Sequence, residues 1–184
     1  VRQGVDRLLL EIPLQDDPLW DVVNLGHQVW ATWLQSMIDI WQNLGVAVTR
    51  RIFVDTGAWV ALADASDDLH HAALAIYSNV LQPGVRLITT NLVVAETYNL
   101  VRRRIGFQAS IRFLQSLRAS PRLERAYSNA GLEDAAEGLL RRYADQDFSL
   151  VDAVSFAYMQ AEGIVEAFAF DKHFTTAGFV LATA

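Results

Sequence analysis

The pattern of apolar and polar positions changes near Thr49-Arg50-Arg51, and the two sides of that point predict different kinds of structure. After it, short apolar runs alternate with longer helical patterns. Ile52-Phe53-Val54 reads as a strand ending in an Asp55-Thr56-Gly57 turn, and Trp59 to Ala63 opens a helix. Asp67 to Leu81 is a second helical stretch, closed by Pro83-Gly84, and Val85 to Thr89 a second strand. Asn91 is the expected cap of a helix over Leu92 to Arg104, which ends before Gly106. Further helices are expected over Gln108 to Arg118, Leu132 to Tyr143 and, capped by Ser149, Leu150 to Gln160. Short strands are expected at Leu123 to Ala126, at Ala167 to Phe170 ending on Asp171, and at Phe179 to Leu181. Apolar strands without in–out alternation, each followed by a helix, predict an α/β/α domain around a mostly parallel sheet covered on both faces. Its expected span is residues 50–184.

Residues 1–49 show no strand pattern. From Gln28 to Leu44, Trp30, Trp33, Leu34, Met37, Ile38, Trp41 and Leu44 recur at three- and four-residue steps, one apolar face of a helix. The expectation is a partly helical extension whose apolar face needs a partner, in this domain or in another chain. The first residue is Val rather than Met, which fits a fragment or an unusual start codon.

Composition narrows the function classes. The chain has no cysteine, so disulfides, thiolate metal sites and cysteine nucleophiles are out, and a reducing cytoplasm is a compatible home. No stretch has the form of a signal peptide or is long and apolar enough to span a bilayer. A net charge of −6 argues against a wholly basic nucleic-acid coat, although it leaves room for an acidic, cation-binding centre. Fourteen of the fifteen basic residues are arginine, bunched at Arg102-Arg103-Arg104 and Arg141-Arg142. Arginine forks match phosphate oxygens, though solvated helix faces explain such clusters equally well.

In an open parallel sheet, ligands sit beyond the carboxyl ends of the strands. Asp55 and Asp171 follow strands, Glu96 lies in the early turns of the helix after the second strand, and Asp152 lies in the first turn of the helix capped by Ser149. All four can project over one edge. Singly, each has an ordinary explanation: a turn aspartate, an acid offsetting a helix dipole, a capping-box partner. Together they would repel strongly unless cations neutralise them, and oxygen-only donors favour hard ions such as Mg²⁺ or Mn²⁺. The histidines form no competing cluster: His70 and His71 are expected to point apart, and His173 to stand alone as a structural or exposed residue.

Ile52-Phe53-Val54-Asp55-Thr56-Gly57-Ala58, Thr90-Asn91-Leu92-Val93-Val94-Ala95-Glu96, Phe148-Ser149-Leu150-Val151-Asp152-Ala153 and Phe168-Ala169-Phe170-Asp171-Lys172-His173-Phe174 resemble, in order, the successive motifs of PIN-domain nucleases. The resemblance covers about residues 51–184 and is nearest to the VapC-type toxins of prokaryotic toxin–antitoxin modules. It implies a PIN-like three-layer fold, Mg²⁺- or Mn²⁺-dependent endoribonuclease activity through metal-activated water, a homodimer, and a cognate VapB-type antitoxin. It also implies that Asp55, Glu96, Asp152 and Asp171 are the catalytic, metal-holding acids, with Asp55 central. Thr56 and Ser149 match the neighbouring hydroxyl positions, and Asp147 is an outer carboxylate. Arg102, Arg103, Arg104 and Lys172 are candidates for contact with the RNA backbone.

Asp16-Asp17-Pro18-Leu19-Trp20-Asp21-Val22-Val23-Asn24-Leu25-Gly26 resembles the tail of a VapB-type antitoxin. Residues 1–49 then read either as an antitoxin remnant fused in cis or as upstream sequence appended by a misplaced start. Two readings compete with the toxin. One is a PIN nuclease of RNA maturation or decay, and the other a catalytically silent RNA- or partner-binding module. An aspartyl phosphatase is disfavoured because position 57, where a second aspartate belongs, is Gly.

Overall fold

A computed structural model of the protein describes residues 50–184. The Trp-rich helix and the antitoxin-like segment expected before residue 50 lie outside the described residues. The elements run β1 (Arg50–Val54), α1 (Thr56–Ala63), α2 (His70–Val80), β2 (Val85–Thr90), α3 (Asn91–Arg104), α4 (Phe107–Ala119), β3 (Leu123–Ala126), α5 (Ala130–Arg142), α6 (Leu150–Glu162), β4 (Glu166–Phe168), α7 (His173–Thr176) and β5 (Val180–Leu181).

The five strands form one sheet in the order β3-β2-β1-β4-β5, and every neighbouring pair is parallel. The chain therefore winds outward from β1 through β2 to β3, crosses back, and continues from β4 to β5. Right-handed crossovers put α1 to α4 on one face and α5 to α7 on the other. The packed pairs fit that division: α1 against α2 and α3, α3 against α4, and α5 against α6. The reversal of winding falls between β1 and β4, where an open sheet leaves a crevice at its carboxyl edge.

Both faces being covered explains the uniformly apolar strands. Ile52, Phe53 and Val54 are fully buried in β1, Leu87 and Ile88 in β2, and Ala167 and Phe168 in β4. On one side Trp59 packs on Phe113 at a ring separation of 6.0 Å. On the other, Phe156, Phe174 and Phe179 cluster, with Phe156 perpendicular to Phe174 at 5.0 Å and Phe174 reaching Phe53. This aromatic packing seats α6 and α7, which carry Asp152 and the residues after Asp171.

Several local boundaries differ from the sequence pattern for identifiable reasons. Asp55-Thr56-Gly57 is not a free turn, because α1 starts at Thr56 and Asp55 is its N-cap, its side chain accepting from the Gly57 N–H. Thr90, not Asn91, caps α3, its hydroxyl accepting from the Val93 N–H at 3.2 Å. Asn91 is the first helical residue and its side chain accepts from the Ser128 N–H, tying α3 to the segment after β3. Residues Asp67 to Leu69 precede α2 rather than belong to it, with the Asp67 carboxylate accepting from the Leu69 N–H. Strand β4 ends at Phe168, so Asp171 stands three residues past it instead of directly after it. Gly106, which joins α3 to α4, has φ +119°, a conformation that only glycine adopts without strain. Among the described residues no helix is long and apolar enough to cross a membrane.

Candidate active site

The carboxyl edge of β1 is built to hold Asp55 rigidly. The Asp55 N–H donates to the Phe168 carbonyl of β4 at 3.0 Å, which pins it at the reversal of winding. Beside it the buried Thr89 hydroxyl donates to the Val54 carbonyl at 3.0 Å and faces the Trp59 indole N–H at 3.4 Å, locking β2, β1 and α1 together. Asp55 is consequently only 7% exposed.

A buried carboxylate is costly unless something stabilises its charge. Here burial pushes the Asp55 carboxyl up to about 7. The N–H groups of Gly57 and Thr56 pull the other way, and the negative charges of Asp152 and Glu96 add to the rise. No ion pair with Asp55 occurs among the described residues. The amino ends of the same strands are different: Arg50 of β1 pairs with Glu166 of β4, and Arg51 with Glu162. Bases and acids meet at one edge of the sheet, while at the other the acids face one another.

The remaining acids are each held by a local donor. Glu96, in the second turn of α3, receives the Thr56 hydroxyl at 2.6 Å, a short charge-assisted hydrogen bond across two elements. Asp152 completes a capping box at the start of α6, its Oδ2 accepting from the Ser149 N–H and hydroxyl at 2.8 Å each, while its own N–H donates to Ser149 Oγ. Asp171 accepts from the His173 N–H at 2.9 Å. Thr56, assigned beside the acids by resemblance alone, and Ser149, which the sequence also marks as a capping-box partner of Asp152, are thus in direct contact with two of them.

Asp55, Glu96 and Asp152 therefore share one electrostatic field, and Asp171 adjoins Asp152 at the rim. His173 links that pair, contrary to the expectation that it stands alone. Its ring is largely buried, edge-on to Phe148 at 5.1 Å, with Nδ1 3.5 Å from Asp152 Oδ2 and 3.3 Å from Asp171 Oδ2. Neither approach has hydrogen-bond geometry, so Nδ1 is a buried polar atom without a partner. The sequence signal was present, since His173 is two residues from Asp171, but its partner Asp152 is supplied only by the packing of α6 on α7. His70 and His71 also depart from expectation: their rings lie 5.8 Å apart instead of diverging. His70 is buried with Nδ1 2.7 Å from the Ala61 carbonyl oxygen, a structural role.

Asp147 is exposed and Lys172 is exposed, and neither makes a described contact with the four acids. Arg104 pairs with Asp67 at 2.9 Å. Among the described residues no three acid or histidine side chains close around a single point as an ion would require. The local bonds explain why: Glu96 is turned to Thr56, Asp152 to Ser149, and Asp171 to the His173 backbone. The donor set nevertheless fits a hard cation, being all oxygen, with a buried central carboxylate that has no counter-charge among the described residues.

A parallel sheet wound outward from β1, with acids from β1, α3, α6 and the β4–α7 connection at its reversal point, defines a class of protein. The PIN domain profile matches residues 52–180, and the chain belongs to the PIN-domain family. Within it, the chain is 40% identical over 129 residues to the 23S rRNA-specific endonuclease VapC20 of Mycobacterium tuberculosis, in strains CDC 1551 and H37Rv alike. The match covers 70% of this chain and 95% of the relative. The crystal structure of M. tuberculosis VapC20, described as a sarcin–ricin loop cleaving toxin, superposes with a TM-score of 0.67 at 38% identity. That superposition covers 72% of this chain and 99% of the other. The chain is a VapC20 homologue with the PIN fold.

Proposed function

We propose that the protein is a Mg²⁺- or Mn²⁺-dependent endoribonuclease, the toxin of a type II toxin–antitoxin pair, and that it cleaves ribosomal RNA as its homologue VapC20 is named for doing. The carrying observation is Asp55, buried at the reversal of the sheet in the field of Glu96 and Asp152, with no base among the described residues paired to it. Asp55, Glu96, Asp152 and Asp171 would hold the ion or ions. Bound there, a divalent cation supplies Lewis acidity toward the scissile phosphate and makes hydroxide available from water near neutral pH.

The chain's own contribution is position. Asp55 is fixed by β1 and β4, Glu96 is oriented by the Thr56 hydroxyl, and Asp152 is oriented by Ser149. His173 brings one ring nitrogen to 3.5 Å from Asp152 and 3.3 Å from Asp171. The family reading brings a homodimer and a VapB-type antitoxin with it, and residues 16–26 make an antitoxin-like segment in cis part of the same proposal.

Incubation with ribosomal RNA, followed by end mapping, tests the activity: discrete cleavage with Mg²⁺ and none with EDTA is expected. Cleavage indifferent to EDTA would remove the metal from the mechanism, and absence of cleavage would remove the enzyme. Thr56→Val keeps the side-chain volume but leaves Glu96 without its donor. We expect roughly a tenfold loss of rate, in the range of outer-shell partners of metal ligands, with Thr56→Ser retaining most activity. Deleting residues 1–48 tests inhibition in cis. The matched portion spans nearly the whole of VapC20 and should fold by itself, so the truncated chain is expected to cleave faster, and an unchanged rate would count against a tethered antitoxin.

A further inference from the structure

Helix α3 presents Leu92, Glu96, Asn99, Arg102 and Arg103 along one side, at the three- and four-residue steps that align side chains on a helix face. These residues, with Ala95 and with Val151 of α6, line a single cavity of about 670 Å³. One of the four acids therefore opens into the same cavity as two guanidinium groups. Glu96 and Arg103 are seven residues apart, or about 10 Å along the helix axis.

The structure also divides the arginine run. Arg104 is engaged by Asp67 on another side of the helix. Arg102 and Arg103 have no ion pair or hydrogen bond among the described residues. Arg102 is steadied by the Phe107 ring, its guanidinium carbon 4.9 Å from the ring centroid, a contact that uses the guanidinium face and leaves its N–H edge available. Phe107 is itself half exposed at the start of α4, so this stack lies at the surface rather than in the core.

We infer that the α3 cavity is a backbone-binding subsite for RNA, in which Arg102 and Arg103 grip a phosphate next to the scissile one and Asn99 faces the intervening sugar or base. This rests on the nuclease reading above and deepens it. The argument is charge complementarity along one surface: an acidic end suited to cations and chemistry, and an arginine end suited to a phosphodiester, joined by a polar amide and an apolar floor of Leu92 and Val151. Arginine forks bind phosphate oxygens in pairs, and such contacts set the register of the strand rather than read its sequence. In a chain of net charge −6 these two arginines are where a phosphate is drawn toward the acids instead of repelled by them.

The test uses the full chain carrying Asp55→Asn, so that RNA stays intact, and a labelled hairpin RNA copying the sarcin–ricin loop. Arg102→Gln with Arg103→Gln is expected to weaken binding at least tenfold and to flatten the dependence of log K on log salt by about 0.7 per arginine. In the otherwise unaltered enzyme the same pair should raise KM with kcat nearly kept. Arg103→Lys, which keeps the charge without the fork, should fall between. Arg86→Gln, a charge removed at the amino end of β2 on the opposite edge of the sheet, should change neither affinity nor slope. Unchanged affinity and salt slope in the double variant, while the enzyme cleaves RNA, would overturn the subsite and leave the nuclease standing. So would a double variant that alters only self-association or antitoxin binding, since the groove would then belong to a protein partner. A parent protein that neither binds nor cleaves RNA would take down both.

Discussion

Asparagine at position 55 is expected to abolish RNA cleavage while leaving the fold intact. The loss should exceed about 100-fold, because even the outer partners of metal ligands are worth 10–100-fold and Asp55 is the central carboxylate. The fold should survive for a local reason. Asp55 is the N-cap of α1, accepting from the Gly57 N–H at 3.2 Å, and asparagine caps helices as well as aspartate does. Its backbone bond to Phe168 is unaffected by the side chain. A cleavage time course with ribosomal RNA, set beside the circular dichroism and melting curve of the variant, checks both halves. Undiminished cleavage by a folded Asp55→Asn protein would end the assignment of Asp55.

The second large effect is on stability. In EDTA, the protein should lose stability as pH rises from about 4 through 7, the opposite of the usual behaviour of a paired carboxylate. The sign follows from proton linkage. Asp55 titrates near 3.8 when unfolded and at about 7 when folded, so between those values the native state holds a proton that the unfolded chain has released. Raising the pH therefore favours the unfolded chain. The contribution is fully present below pH 3.8 and gone above 7, and amounts to on the order of 4 kcal/mol for this one group. The groups that face Asp55 are Glu96 from α3 and Asp152 from α6, both acids, and the Gly57 and Thr56 N–H donors only partly offset them. Urea titrations at pH 5 and pH 8 measure the difference, and the Asp55→Asn protein isolates it, since only the wild type should show this slope. Without metal at pH 8 the variant should be the more stable of the two. Adding Mg²⁺ at pH 8 should stabilise the wild type and not the variant. Parallel pH profiles for the two proteins would show that Asp55 is not the strained group.

These predictions concern an edge where function is set against stability. Elsewhere several polar groups are paired: Arg50 with Glu166, Arg104 with Asp67, His70 with the Ala61 carbonyl. At the reversal of winding, by contrast, acids are gathered and none of the described bases pairs with Asp55, and strain of that kind is characteristic of functional sites.

The strand–helix alternation and the parallel sheet were legible without coordinates, because each depends on local rules. Apolar runs such as Ile52-Phe53-Val54 identify buried strands, and Ser149 with Asp152 spells a capping box at four residues' range. Tertiary structure decided what depends on packing between distant segments. It showed that Thr56 serves Glu96, forty residues away, and that His173 sits between Asp171 and Asp152. It also showed that Arg104 turns to Asp67 while Arg102 and Arg103 share a cavity with Glu96. Sequence spacing places a side chain on a face of its own helix. Which partner it meets there depends on how helices stack over the sheet, and that stacking is set by the summed packing of Trp59, Phe113, Phe156 and Phe174, not by any motif.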